Sequence, residues 1–410
     1  MLGASLWCEN TLPIVNNLEA IYFPLMTHQA SKRCRTPLVA WVTPWERKCG
    51  IADYSKVLWT EVERAYREKG MELVKVEQDP LDQLLGKLQE LKPSVVFFQH
   101  EYGLWGGKNP PFYTFPRFVR QLKQVLPEVK IGATAHTVLP THYRFPTQGR
   151  GWQIPLRAGA NVFFLNRLRR VWGADTWGEL DWVVVHSRLQ AQAVEDAGAK
   201  RVVVIPHFVP TLGVPGTVSR SEAHAWPYSE KRLLVFGFLT PEKGQDLAIQ
   251  ILSKLPSDYR LIIAGGVRRP GDRKYEQQCR ELAHSLKLGS RIEWTGYVES
   301  RLVDSMYSRA HLVLIPFRET SGSGSLAQAF ARGSAILATD LPLNQEITQR
   351  VPGCMEFFKA GDADDGAQKV QRIFEREENL ISLKVAAREY AAFCSVPKVA
   401  RIFAEETELP

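Results

Sequence analysis

The feature that most constrains this chain is a repeated alternation. Short, nearly continuous apolar runs are each followed by a stretch of helical period. Leu38–Thr43 (LVAWVT) reads as a buried strand. Apolar residues at 54, 57, 58, 62, 65 and 66 then predict a helix over Tyr54–Tyr66 that Gly70 ends. Met71–Val76 predicts a strand and Leu81–Leu91 a helix. Ser94–His100 and Lys130–Thr137 predict strands around a helix near Arg117–Leu126. Asp181–Ser187 and Arg201–His207 enclose a helix closed by Gly198. Strands without polar alternation, separated by helices, define a parallel sheet covered on both faces. Residues 208–231 break the pattern with Pro210, Gly213, Pro215, Gly216 and Pro227, a linker composition. A second alternation follows, with strands at Arg232–Gly237, Arg260–Gly265, Arg291–Thr295, His311–Phe317 and Ser334–Thr339. Its helices fall near Gln245–Leu255, Lys274–Leu286, Ser300–Arg309 and Ser325–Arg332, with a helical tail over Ala367–Phe393. The expectation is two doubly wound α/β domains facing across a cleft. They would comprise an N-terminal extension over 1–36, a domain over 37–208, a linker over 209–231 and a second domain over 232–380. C-terminal helices over 381–410 would pack back on the first domain.

Composition narrows the class. The chain has 410 residues, 45% hydrophobic, with a net charge of +8. That excludes global disorder, collagen and a coiled coil. No apolar run is long enough to span a bilayer. Met1–Ala20 contains Glu9, Pro13 and Glu19 and lacks the basic start and pure apolar core of a secretory signal. The six cysteines show no Cys-x-x-Cys spacing, which predicts reduced thiols in the cytoplasm. Positive charge is concentrated in residues 1–200, with 25 Lys+Arg against 19 Asp+Glu; the remainder has 27 against 25. Interleaved with Trp105, Tyr113, Tyr143, Trp152 and Trp172, that excess suits an anionic membrane surface at the inner face, a phosphate-bearing substrate or nucleic acid. A plain solvated basic face is the alternative. No nucleic-acid module pattern is present, so nucleic acid is not expected as a partner.

The sharpest motif is the Ser/Gly turn Thr320-Ser-Gly-Ser-Gly-Ser325, which follows a buried strand and opens a helix at Leu326. Gly322 and Gly324 allow close backbone approach, and the unpaired amides of the helix start favour an anion such as a diphosphate. A loop with a serine cap is the plainer reading. Phe236-Gly-Phe-Leu-Thr-Pro-Glu-Lys-Gly244 likewise joins a strand to a helix and sets Lys243 at the sheet edge. Cys49-Gly-Ile-Ala-Asp-Tyr54 forms a strand-to-helix turn without the spacing of a dinucleotide fingerprint. Gln99-His-Glu-Tyr-Gly103 and Thr134-Ala-His-Thr137 place His100 and His136 at strand ends, where a histidine is either catalytic or structural. Asp362, Asp364 and Asp365 read as a helix start rather than a metal site. No P-loop, Gly-x-Ser-x-Gly or His-Glu-x-x-His occurs.

Together with Ile205-Pro-His207, Thr295-Gly-Tyr297 and Ala338-Thr-Asp340, these motifs resemble, in order and spacing, the GT-B glycosyltransferases of family 4, over roughly residues 37–395. The resemblance implies two Rossmann-like domains and a hexosyltransferase that uses a UDP- or GDP-sugar, retains the anomeric configuration and needs no cofactor or metal. The acceptor would be a saccharide or a lipid-linked saccharide, as in cell-surface polysaccharide synthesis. It further implies that His136 lies beside the transferred sugar, that Lys243 pairs with the diphosphate, and that Glu319 or Thr320 contacts the sugar hydroxyls. Donor binding falls to Gly50, Ile51, Gly237, Lys243 and the turn formed by Thr320, Ser321, Gly322, Ser323, Gly324, Ser325 and Leu326. Gln328 would hold the ribose. The acceptor would meet His100, Glu101 and Tyr102. The first of the family's two glutamates falls at Thr320, with Glu319 one place early, and two further positions depart from the pattern: Gln328 replaces the second glutamate and Phe238 replaces an arginine. Those departures support the rival expectation, a GT-B-shaped binding or scaffold protein without turnover.

Overall fold

A computed structural model describes residues 36–107, 112–139, 144, 153–212, 229–267, 270–319 and 324–407. The expected N-terminal extension, most of the expected linker and the turn residues Thr320, Ser321, Gly322 and Ser323 lie outside the described residues.

Two six-stranded sheets organise the chain. The first contains β1 (Leu38–Thr43), β2 (Glu72–Glu77), β3 (Val95–His100), β4 (Lys130–Ala135), β5 (Trp182–Val185) and β6 (Val202–Val204), in the order β2-β1-β3-β4-β5-β6. The second contains β7 (Lys231–Phe236), β8 (Tyr259–Ala264), β9 (Ile292–Gly296), β10 (Leu312–Ile315), β11 (Ile336–Thr339) and β12 (Glu356–Phe358), in the order β12-β11-β10-β7-β8-β9. Every pairing between these strands is parallel. Strand order reverses between β1 and β3 in the first sheet and between β7 and β10 in the second. At such a reversal two consecutive crossovers leave in opposite directions, opening a crevice beyond the strand ends.

Both sheets are buried on both faces. Along β1, Val39 and Trp41 enter one core cluster while Ala40 and Val42 enter the other. Along β10, Leu312 and Leu314 alternate in the same way with Val313 and Ile315. The last helix, Val396–Glu406, contributes Val399 and Phe403 to the core of the first sheet, with Phe403 packed 5.7 Å from Trp41 between ring centroids. Tyr66 and Thr407 join that helix to the helix Gly50–Glu68 through a buried hydroxyl–hydroxyl hydrogen bond.

Gly132 on β4 shows how closely these layers pack. A methyl group there would lie 2.4 Å from the Trp182 indole, which is itself buried and stacked on Phe97. Gly132→Ala is therefore expected to cost about 2–3 kcal/mol of stability. Urea unfolding followed by fluorescence would measure it, and an unchanged midpoint would show that the indole can swing aside.

The elements differ from the sequence expectation in instructive places. The helical tail is two helices, Ala363–Ile373 and Glu377–Phe393. The stretch Ser300–Arg309 is a 3-10 turn followed by a short helix, Val303–Ser308. The helix Pro342–Arg350 and the edge strand β12 were not anticipated. Asp362 caps the helix Ala363–Ile373, accepting hydrogen bonds from the amides of Asp364 and Asp365 at 3.0 Å each.

Candidate active site

The candidate site begins where the β7–β10 reversal places two turns side by side. Pro241-Glu-Lys243 is a single 3-10 turn ended by Gly244 in the left-handed region, at φ 68°. It is fastened to the residues that follow β10. Arg318 N donates to Glu242 O at 2.9 Å, and Arg318 Nη1 donates to Pro241 O at 2.8 Å. The same guanidinium makes a forked pair with Asp246 at 2.8 and 2.7 Å. Lys243 Nζ lies 3.8 Å from the centre of the Phe317 ring, a cation–π contact two residues beyond β10. Burial pushes the Lys243 ammonium down to about 8, against the opposing charge of Glu242.

The helix after the Ser/Gly turn spans Gly324–Ala331. Its start is fixed by Tyr307, whose hydroxyl donates to Ser325 O at 3.1 Å. A methyl group built on Gly237, at the end of β7, would come within 3.4 Å of Ser325 Oγ, so the two turns meet there. Gln328 is held from behind: Arg332 Nη1 donates to its side-chain oxygen and, at 3.0 Å, to its backbone oxygen, while Nη2 and Nε of the same guanidinium donate to Asp304. With the amide oxygen occupied, Gln328 offers its NH2 donors to a ligand. Phe238 and Glu319 are exposed.

The first sheet presents its own reversal, between β1 and β3, to this edge. A cavity of about 220 Å³ is lined by Gly50, Ile51, Tyr54, Glu101, His136, Thr137, His186, His207 and Gly324. It joins the first turn of the first domain to the start of the Ser/Gly helix. Lys243 does not line this cavity and stands over Phe317 at the neighbouring strand edge.

His136 follows β4, and its Nε2 lies 2.9 Å from Gln99 Oε1. Gln99 Nε2 in turn donates to Thr134 Oγ1 at 3.3 Å. A carboxamide oxygen only accepts, so Nε2 carries the proton and Nδ1 keeps the lone pair. Burial, then the neighbouring charges of His186 and His207, hold His136 well below the usual histidine range. Thr137 donates to Glu101 Oε2 at 2.5 Å.

His186 and His207 are functional candidates that the sequence expectation did not assign. His186 Nδ1 donates to Ile205 O at 2.9 Å, and burial, then His207, pushes it down to about 3. His207 Nδ1 donates to Phe208 O at 2.8 Å, and burial lowers it. Both pack around Tyr54, with ring centroids at 5.6 and 5.3 Å, and His136 lies 4.8 Å away from the same ring. The signal was available. His186 stands immediately after β5, just as His136 stands after β4.

Two expected acceptor residues lie elsewhere. His100 is fully buried, with Nε2 2.8 Å from the Tyr113 hydroxyl and its ring packed on Tyr102, Phe115 and Trp177. Tyr102 is also fully buried and donates to Trp172 O at 3.2 Å. Successive residues of the extended segment point to opposite sides, so Gln99 and Glu101 turn toward His136 and Thr137 while His100 enters the core, and the 3-10 turn that starts at Tyr102 buries that ring beside it. Their expected contact with an acceptor is corrected on that ground; Glu101 alone of the three lines the cavity.

The halves are also joined next to this cavity. Glu346, on Pro342–Arg350, accepts both ways from Arg188 N, at 2.9 and 2.8 Å, at the start of the helix Arg188–Asp196. Arg350 pairs with the same carboxylate at 2.9 Å.

Two parallel sheets whose reversals face each other, with a cationic turn and a glycine-led helix at the edge, form the GT-B fold. Residues 219–390, less than half of the chain, match the family model of the glycosyl transferases group 1. Solved structures share the fold. Anabaena Alr3699/HepE, solved in complex with UDP and glucose, is similar at 14% identity and TM-score 0.63, over 90% of this chain and 99% of that one. Sucrose-phosphate synthase (tll1590) from Thermosynechococcus elongatus is similar at 15% identity and TM-score 0.64, over 90% and 98%. The apo lipopolysaccharide outer core galactosyltransferase WaaB is similar at 12% identity and TM-score 0.60, over 91% and 100%. No curated protein matches the chain by sequence. Among the described residues no helix is long and apolar enough to cross a membrane, and no group of His, Cys, Asp and Glu is arranged to hold a metal ion.

A diphosphate held beside Lys243 is expected to bind in a pH-dependent way. A diphosphate beside the ammonium favours its charged form, so the complex binds more protons than the free protein. Affinity is therefore expected to hold up to about pH 8 and to fall by up to ~tenfold per unit above it. Titrations of a nucleoside diphosphate at pH 7, 8 and 9 measure this, and a flat profile would place Lys243 away from the diphosphate.

Proposed function

We propose that the chain transfers a hexose from a UDP- or GDP-sugar, with retention at the anomeric carbon, to a saccharide or lipid-linked saccharide acceptor in cell-surface glycan synthesis. One observation carries this reading: neutral, oriented His136 shares a cavity with Gly50 and Ile51 on one side and Gly324 on the other. In this reading the donor diphosphate lies between Lys243, Gly237 and the residue 320–326 turn, with Gly50 and Ile51 closing over it. Gln328 donates to the ribose. His136 bonds a hydroxyl of the transferred sugar, Glu319 or Thr320 contacts others, and Glu101 faces the acceptor.

The reaction follows from charge placement. An acceptor hydroxyl oxygen attacks the anomeric carbon from the face the diphosphate leaves. The carbon–oxygen bond to phosphate breaks, and the hydroxyl proton passes to the departing phosphate oxygen. Negative charge grows on the diphosphate, where the ammonium and helix amides stabilise it. The buried histidines are neutral across the physiological range, so none adds a competing cation in the sugar pocket.

The test is a hydrolysis and transfer screen across UDP-, GDP-, ADP- and dTDP-sugars, with the product anomer read by NMR. Release of sugar with the donor's configuration is expected. The inverted anomer would overturn retention. The second reading, a GT-B-shaped binding protein, is favoured by exposed Phe238 in place of an arginine and by Gln328 in place of a glutamate. Diphosphate binding without release from any donor would select it.

A further inference from the structure

One surface lies apart from the cleft chemistry. Residues 129–174 contain no Asp or Glu, although the chain holds 44 acidic residues in 410, a share at which this stretch would hold about five. The same stretch carries Lys130, Arg144, Arg150, Arg157, Arg167, Arg169 and Arg170. Within it, the junction of the helices Gln153–Phe163 and Leu165–Trp172 exposes three consecutive large apolar side chains. Val162 is 74%, Phe163 79% and Phe164 57% exposed. The second helix buries Leu168 and Trp172 and turns Arg167 and Arg170 to solvent. Behind it runs a groove of about 320 Å³ lined by Arg169, Arg170, Trp172, Trp177, Leu139 and, on the rim, Asp196. Asp196 is occupied by Gln192, and Arg170 by Asp175 at 3.3 Å. Arg169 Nε is buried without a hydrogen-bond partner.

We propose that Val162, Phe163 and Phe164, with Arg167, Arg169 and Arg170, form a docking surface for a bilayer containing anionic phospholipid. The three apolar side chains enter the boundary between headgroups and acyl chains, where they leave water without needing hydrogen bonds. The arginines, with Arg167 and Arg170 turned to solvent, meet headgroup phosphates. An acid-free stretch removes the repulsion that an anionic surface would otherwise exert. The inference uses the first half of the chain alone and is independent of the transfer reaction.

Cosedimentation with phospholipid vesicles tests it without any donor or acceptor. The full chain is expected to sediment with vesicles of phosphatidylcholine containing about one-third phosphatidylglycerol, and only weakly with phosphatidylcholine alone, with binding falling when salt shortens the screening length from ~10 Å to a few Å. Val162→Ser/Phe163→Ser/Phe164→Ser is expected to weaken partition at least ~tenfold. Arg169→Gln/Arg170→Gln should remove the preference for anionic vesicles. Both variants should keep the parent's thermal midpoint and nucleoside-diphosphate affinity. Failure of the parent to sediment, or equal sedimentation of the serine variant, would overturn the proposal. So would a concentration-dependent dimer abolished in the serine variant without vesicle binding, because the patch would then meet a second copy.

Discussion

Lys243→Ala is expected to weaken nucleoside-diphosphate binding by ~2–3 kcal/mol, or about 30- to 160-fold, because a charge-assisted contact to phosphate is lost. Donor turnover should fall at least as far, since the same ammonium opposes the charge that grows on the leaving group. Stability should not fall. The side chain rests on Phe317 but is half-buried, and removing a cation that burial already pushes down to about 8 relieves a desolvation cost below that pH. Isothermal titration and a donor-release assay, run beside a thermal melt, separate these effects. Equal affinity in parent and variant would remove Lys243 from the site.

Gly244→Ala should act through geometry. Gly244 is in the left-handed region at φ 68°, and a methyl group there would lie 1.9 Å from Pro316 O. The backbone penalty of ~1–2 kcal/mol and the overlap, worth ~1–3 kcal/mol, predict a loss of about 3 kcal/mol. The turn carrying Lys243 would lift from β10 with it, so diphosphate affinity should fall although the lysine remains. Urea unfolding and the same titration read both consequences. A loss near 1 kcal/mol, the backbone penalty alone, with unchanged affinity would mean that the turn is not clamped to β10 in solution.

Much of this arrangement is legible before any coordinates. Strands buried on both faces leave long apolar runs, and their alternation with periodic helices fixes the doubly wound class. The Lys-Gly turn and the Ser/Gly turn follow strands that the sequence delimits to within a residue or two. The same double burial hides which strand-end residues face the cleft. Val95–Tyr102 reads VVFFQHEY, with no polar alternation to tell the side of Gln99 and Glu101 from the side of His100 and Tyr102. His100 looked like a ligand because it ends a strand, yet it closes a core of Tyr102, Phe115 and Trp177. The helix Pro342–Arg350 was missed for a related reason. Only Asn344 within it is buried, so it lacks an apolar stripe, and its role is the Glu346 carboxylate set against the amide of Arg188. That contact depends on residues 158 positions apart, which no local pattern reports.

In the proposed donor site a cation on one turn and the amide-rich start of a helix on the next hold a single diphosphate. Calorimetric titration with the uridine, guanosine, adenosine and thymidine diphosphates, each beside its nucleoside, tests it most directly. One diphosphate should bind at least ~100-fold more tightly than its nucleoside, and Lys243→Ala should erase most of that gap. Equal binding of diphosphate and nucleoside in the parent, or a gap that survives Lys243→Ala, would mean that the two turns do not share a diphosphate.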